Sequence, residues 1–230
     1  NTESVFEETI QKITELNYSR YKPLTYVKEN KLKSSEKSLL VGQANMGGFM
    51  KGILVKRLES SKYAFEMTLS RFIDSYNEFI RMYKEKGVVW ISKKLNIIEL
   101  LDNEEFEKLD RALKNEDVFK FKAEDFNNEF IIDLEKDLKI LQNLKDIWKT
   151  IEIDDKLEYF LKELKNNKNL KNNKLIIFTE SKETAEYLTD SIQRRLNEKV
   201  LMFNGSMPDS VRNSIRANFD PNYNKDRQKN

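Results

Sequence analysis

KLIIFTESKETAEYLTDSIQRRLNEKVLMFNGSMPDSVRNSIRANF, residues 174–219, is the stretch whose reading decides the fold class. KLIIF (174–178) is an apolar run of strand length, suited to a buried parallel strand. SKETAEYLTDSIQRRLNE (181–198) follows as a helix with Ala185, Leu188, Ile192 and Leu196 inward. KVLMFNG (199–205) is a second strand, and SMPDSVRNSIRANF (206–219) a second helix, with Pro208 in its first turn and Val211, Ile215 and Phe219 inward. The order β-α-β-α at this spacing predicts a parallel, doubly wound α/β unit. Two strands are too few to hold a core, so further strands are expected from outside this stretch. The tail PNYNKDRQKN (221–230) is polar and carries no structural signal.

Upstream the texture is helical. Residues 3–17 read as a first helix, with Val5, Ile10, Ile13 and Leu16 near helical spacing. NYSRYKPLTYV (17–27) breaks the pattern at Pro23, and residues 28–47 read as a polar loop ending in VGQANMGG. From Phe49 to Lys86 the apolar residues keep mainly 3–4 spacing, which predicts one long helix with an aromatic face, ended by Gly87. That face is read as a packing stripe. Residues 88–127 are ambiguous, with VFKFK (118–122) alternating like a short strand or forming a turn. FIIDLEKDLKILQNLKDIWKTI is a further amphipathic helix. DDKLEYFLKELKNN is a shorter one, capped by Asp154 and lined by Leu157, Leu161 and Leu164. KNNKNLKNNK (165–174) is a basic loop. The fold class is therefore mixed: a mainly α-helical region, 1–153, followed by a partial parallel α/β lobe, 154–230.

Composition narrows the chemistry. The 230 residues contain no cysteine and no histidine, which removes disulfides, Cys/His zinc sites and catalysis by a histidine base or cysteine nucleophile. No catalytic and no metal-binding residue is assigned. Six glycines and three prolines favour long helices. No apolar run is long enough to cross a membrane, and no basic-then-apolar leader begins the chain. A cytoplasmic location is expected. The chain starts at Asn1 rather than methionine, which suggests an internal segment of a longer protein. The net charge of +2 hides a pattern: 1–87 carries +4, 88–153 carries −5 and 154–230 carries +3. A polyanion would have to be bound by local patches.

GQANMGGF (42–49) spaces glycines like a phosphate loop but has Gly48 and Phe49 where Lys and Ser/Thr are needed, and no buried strand precedes it. The chain by itself is not expected to hydrolyse a nucleotide. The two strand-to-helix turns are the better candidates, because open α/β sheets bind ligands beyond the carboxyl ends of their strands. Thr179 and Ser181 lie at the first turn; Gly205 and Ser206 lie at the second, with Arg212 in reach from the following helix. Amide groups and the helix dipole there attract phosphate. Ordinary helix capping by the same hydroxyls is the competing reading.

KLIIFTESKETAEYLTDSIQRRL and VLMFNGSMPDSVRNSIRANFD resemble the opening half of the C-terminal, RecA-like lobe of superfamily II helicases. DDKLEYFLKEL resembles the helix before that lobe in Swi/Snf-type members. FMKGILVKRLESSKYAF resembles an inter-lobe segment of bacterial members, and NYSRYKPLTYV a segment before it. The resemblance implies a two-lobed, ATP-driven translocase, with duplex DNA as the favoured partner beside the remaining lobes of the parent. It implies nucleic-acid contacts at Thr179, Glu180, Ser181, Gly205, Ser206 and Arg212. It implies an inter-lobe brace at Lys56, Arg57, Ser60 and Ser61. ATP and Mg2+ would belong to the full-length parent, with none expected on this segment. A non-catalytic helical docking scaffold is the alternative. An independent α/β enzyme is a weaker third, since it needs about four strands.

Overall fold

The computed structural model describes residues 2–92, 118–171, 173–205 and 207–223. The chain divides into two compact units, 1–152 and 153–230. The described residues are mainly helical, with nine α-helices and one two-stranded antiparallel sheet among them.

The first unit is organised by α4 (Lys62–Arg81) and α5 (Glu129–Lys149), with α1 (Thr2–Glu15), α2 (Ser34–Ala44) and α3 (Met46–Ser60) before them. On α4 the buried residues Phe65, Leu69, Phe72, Tyr76 and Phe79 recur at alternating steps of four and three. On α5 Phe130, Leu134, Asp137, Leu141, Leu144 and Trp148 do the same. Two such stripes zip together as facing rows. Ring contacts fix their direction. Phe65 meets Trp148 at 5.2 Å and Phe79 meets Phe130 at 5.9 Å, so the start of α4 lies by the end of α5. The helices are antiparallel. Each buried Phe or Leu in the seam stabilises the unit by about 1.5–3 kcal/mol. The aromatic stripe is thus core.

The expected single helix over 49–86 is two helices. Ser61 adopts extended backbone (φ −162°, ψ 156°), and its hydroxyl accepts the Ala64 N–H at 3.1 Å, capping α4. α4 ends in one π-helical turn, Met82–Lys86, and Gly87 follows at φ +63°, a left-handed conformation in which a side chain is strained. Residues 34–44 are helix rather than loop. Glu36 accepts the Lys33 N–H at 2.6 Å across the first turn, and Gln43 accepts the Leu24 N–H at 2.8 Å. A cap at its own start and a tertiary bond from Leu24 hold a helix that has no apolar stripe of its own.

β1 (Val88–Ser92) pairs antiparallel with β2 (Val118–Lys122), Val88 opposite Lys122 and Ile91 opposite Phe119. VFKFK, whose alternation fits either a strand or a turn, is a strand in this ladder. The segment 17–28 is stitched to the region after β2 by Lys28 N–H to Asp125 O and Asn127 N–H to Tyr26 O, both at 2.8 Å.

The second unit holds α6 (Asp155–Asn166), the four-residue α7 (Lys168–Lys171), α8 (Lys182–Leu196) and α9 (Asp209–Phe219). Asp154 caps α6, accepting the Leu157 N–H at 3.0 Å. Its small core joins Leu157 and Leu161 of α6 to Ile192 of α8, with Leu164, Leu188 and Leu196 packed around them. Among the described residues the parallel sheet expected from 174–178 and 199–203 is not seen. Both runs lie between helices in the expected order, yet neither belongs to a ladder. A strand exists only through its neighbours' hydrogen bonds, and none of the described residues supplies them. The apolar side chains accordingly face solvent, with Ile176 61% and Phe178 89% exposed. Pro208 precedes α9 as its cap residue instead of sitting in its first turn. Val211, Ile215 and Phe219 are only half-buried.

Candidate nucleic-acid interface

The first turn, FTES, leads into α8. Ser181 is 2% exposed, and its hydroxyl accepts the Thr184 N–H at 3.2 Å while donating to Glu183 Oε2 at 3.1 Å. It works as a helix cap. Thr179 is exposed, and its hydroxyl accepts the Ser181 N–H at 3.2 Å. Glu180 is exposed beside it. The turn therefore presents one hydroxyl and one carboxylate to solvent, with the serine hydroxyl turned inward.

The second turn leads into α9. Asn204 O accepts the Met207 N–H at 3.2 Å and shapes the bend. Gly205 is exposed, with open space where a Cβ would stand, so sterics do not demand glycine there. Ser206 lies outside the described residues. Arg212 is exposed, its guanidinium 5.5 Å from the Phe203 ring centroid and 3.9 Å from Asp209 Oδ1. Phe203 is a member of this group that sequence reasoning missed. Its signal was its place nine residues before an arginine, across a turn. The structure brings Thr179 and Ser181 together, and Arg212 and Phe203 together. Arg212 makes no bond to the 179–181 group.

Lys56, Arg57, Ser60 and Ser61 span the junction of α3 and α4. Arg57 and Ser61 are buried within the first unit, Ser60 is half-buried and Lys56 is exposed. Gly42 lies in α2 and Gly47 and Gly48 lie in α3, so the glycine-rich stretch is helical and forms no phosphate cradle.

Sequence reading also missed a buried polar centre in the first unit. Asp137, fully buried on α5, accepts the Asn17 N–H at 2.7 Å, the Ser19 N–H at 2.8 Å, the Ser19 hydroxyl at 2.7 Å and the Tyr76 hydroxyl at 2.9 Å. Tyr18, between the two donating amides, is buried in the left-handed region (φ 55°). The backbone curls there so that amides on either side of Tyr18 converge on one carboxylate. The signal was in the sequence: an acid at a core position of a four-three repeat.

Burial is the largest cause raising the Tyr18, Tyr26 and Tyr76 phenols above the ordinary value. Asp137 adds to the rise at all three, and a hydrogen bond to Asp133 adds more at Tyr26. These groups stay protonated and structural. Among the described residues no cluster of acids could hold a metal ion, and no helix is long and apolar enough to cross a membrane. No family model, no curated protein and no solved structure matches the chain.

Proposed function

We propose that the chain is a working part of an ATP-driven, Swi/Snf-type nucleic-acid translocase. On this reading 1–153 is the helical region between two lobes and 154–230 is the start of the C-terminal, RecA-like lobe. The observation that supports it is the exposure of the apolar runs 174–178 and 201–203 in front of two amphipathic helices. Apolar runs of this kind suit strands covered on both faces. Strands supplied by the rest of a lobe would cover them.

ATP and Mg2+ are not expected on this chain. It has no phosphate-loop lysine, and its glycine-rich stretch is helical. Their chemistry is left to the parent. The residues here contribute backbone contacts, with Arg212 as the exposed cation and Thr179 as the exposed hydroxyl. The aromatic stripe on which the docking-scaffold alternative rests lies in the core.

The test is binding of duplex DNA by the 230-residue chain over a salt series. Binding should weaken with salt, and Arg212→Ala should make the log–log slope shallower by about one. ATP hydrolysis by the chain alone should be absent. A chain that ignores duplex DNA at low salt, or that turns over ATP, overturns the proposal.

A further inference from the structure

Acidic residues make up 39 of 230, about one in six, yet none occurs between Glu163 and Glu180. Within and just before that gap, lysines fall every third residue: Lys162, Lys165, Lys168, Lys171 and Lys174. All five are exposed. Some lysines elsewhere pair with acids, as Lys84 does with Glu135 and Lys182 with Glu186. Among the described residues, Lys162, Lys165, Lys168 and Lys171 have no ion-pair partner. Lys174 alone is engaged, donating to the Asn218 carbonyl at 2.6 Å.

Asparagines, not acids, shape this segment. Asn167 ends α6, its N–H donating to Glu163 O at 2.9 Å. Its side-chain amide donates to Glu163 Oε2 at 3.2 Å, and its Oδ1 accepts the Asn169 N–H at 3.0 Å. Asn173 Nδ2 donates to Asn169 O at 2.8 Å. The last acid before the gap is thereby held by an amide, and the turn is ordered without neutralising a lysine. Residues three apart on a helix are neighbours, about 5–6 Å between Cβ atoms. So Lys162 and Lys165 share one face of α6, and Lys168 and Lys171 share one face of α7. Like charges this close within each pair repel, which costs stability unless an outside anion meets them.

We infer that Lys162, Lys165, Lys168 and Lys171 form a contact surface for the phosphate backbone of duplex DNA, separate from the turns at 179–181 and 203–212. The inference takes from the preceding section only the choice of duplex DNA as the polyanion. An anionic membrane is disfavoured by the rest of α6. A helix lying on a membrane inserts its apolar face, whereas Leu157 and Leu161 are packed against Ile192. Lysine suits backbone contact because its flexible stem carries a point charge that follows irregularly placed phosphates. Such contacts carry no base preference.

The experiment compares three forms of the full 230-residue chain on a mixed-sequence duplex across a salt series. One form is unaltered. One carries Lys162→Gln, Lys165→Gln, Lys168→Gln and Lys171→Gln. The third loses four exposed lysines from the first unit, through Lys37→Gln, Lys120→Gln, Lys136→Gln and Lys139→Gln. The inference expects the first quadruple variant to have a log–log slope shallower by about three to four, since each neutralised phosphate contributes about 0.9. The first-unit variant should keep the original slope. Thermal stability of the first quadruple variant should be unchanged or higher, which a structural role for these lysines would not give.

An equal loss in both quadruple variants, an unchanged slope, or no duplex binding at all overturns the inference. Phosphatidylserine vesicles serve as a second probe. Vesicle binding that the four substitutions abolish, with duplex binding intact, overturns it in favour of a membrane. Arg212→Ala separates this surface from the turns. Loss with Arg212→Ala but not with the quadruple variant overturns this inference and keeps the proposed function's contacts. The reverse keeps this surface and removes those contacts.

Discussion

Asp137 accepts the Tyr76 hydroxyl at 2.9 Å in the middle of the α4–α5 seam, where the repeat on either side is filled by Leu134 and Leu141. The same carboxylate holds both amides that flank Tyr18, and so fastens the segment after α1 to the two longest helices. Removing the acceptor leaves two backbone N–H groups and two hydroxyls without it in a dry interior. Asp137→Ala is therefore expected to lower unfolding free energy by about 3–5 kcal/mol, read from the urea midpoint. Tyr76→Phe removes one donor and should cost only about 1 kcal/mol. Asp137→Leu fills the volume but still abandons the amides, so it should stay well below the unaltered chain. A stable Asp137→Leu variant would mean that packing, not acceptance, is what the site requires.

The parts legible in sequence were those carried by local pattern. The 3–4 spacing of Phe65, Leu69, Phe72, Tyr76 and Phe79 is a property of the residues themselves, and it came out as a buried helical face. The Asp154 cap needed only one side chain and one turn. The helix at 34–44 was hidden because SSEKSLLVGQA has no stripe to find and is held through Gln43 and Glu36. The break at Ser61 was masked because the apolar residues continue across it, although the serine three positions before Ala64 marks a cap. KLIIF and KVLMF were read from their apolar runs, but pairing is not a property of the run alone. For the candidate site, the hydroxyls at 179 and 181 were found, while the inward turn of Ser181 depended on Glu183 and Thr184.

The buried phenols set an alkaline limit. Tyr18, Tyr26 and Tyr76 have folded values above the ordinary phenol value of 10.0. An unfolded chain releases these protons near pH 10, while the folded chain keeps them. Above that point the native state binds more protons than the unfolded state, so stability must fall as pH rises. Their stabilisation is complete below about pH 10 and is lost progressively above it. Urea midpoints should accordingly be level below that pH and decline beyond it. The rise in phenolate absorbance of the buried tyrosines should coincide with loss of helical circular dichroism. Tyr26→Phe, which removes the phenol bonded to Asp133 at 2.8 Å, should soften the decline. Phenolate absorbance that rises fully while the helices persist would show these three rings to be accessible.

Ser61 separates two roles for the LVKRLESSKYAF segment. As the cap of α4 its hydroxyl satisfies the Ala64 N–H. Ser61→Ala should cost about 1 kcal/mol, a fall in melting temperature of about 2–4 °C for a chain of this size. Ser61→Asp keeps an acceptor at the cap and should recover most of it. Lys56 is exposed on α3, and Lys56→Ala should change stability by less than about 0.5 kcal/mol. Duplex affinity should be the same in all three variants. A loss of affinity in Ser61→Ala at unchanged stability would assign that serine to nucleic acid instead.

The exposed run LIIF makes the last prediction, because it is hazardous in a chain that leaves it uncovered. Ile176 and Phe178 are 61% and 89% exposed, and the run from Lys174 to Thr179 joins no ladder. Short uncharged runs of β-branched and aromatic residues with unpaired backbone groups are templates for pairing with another chain. The 27.4 kDa chain should therefore show an apparent mass that climbs with concentration in light scattering. Ile176→Lys combined with Phe178→Lys puts charge on the run and should hold the mass at the monomer value. Both residues lie outside the small core of Leu157, Leu161 and Ile192, so helical circular dichroism should not change. A chain that stays monomeric at every concentration would show that these side chains are covered in solution by something other than a partner strand.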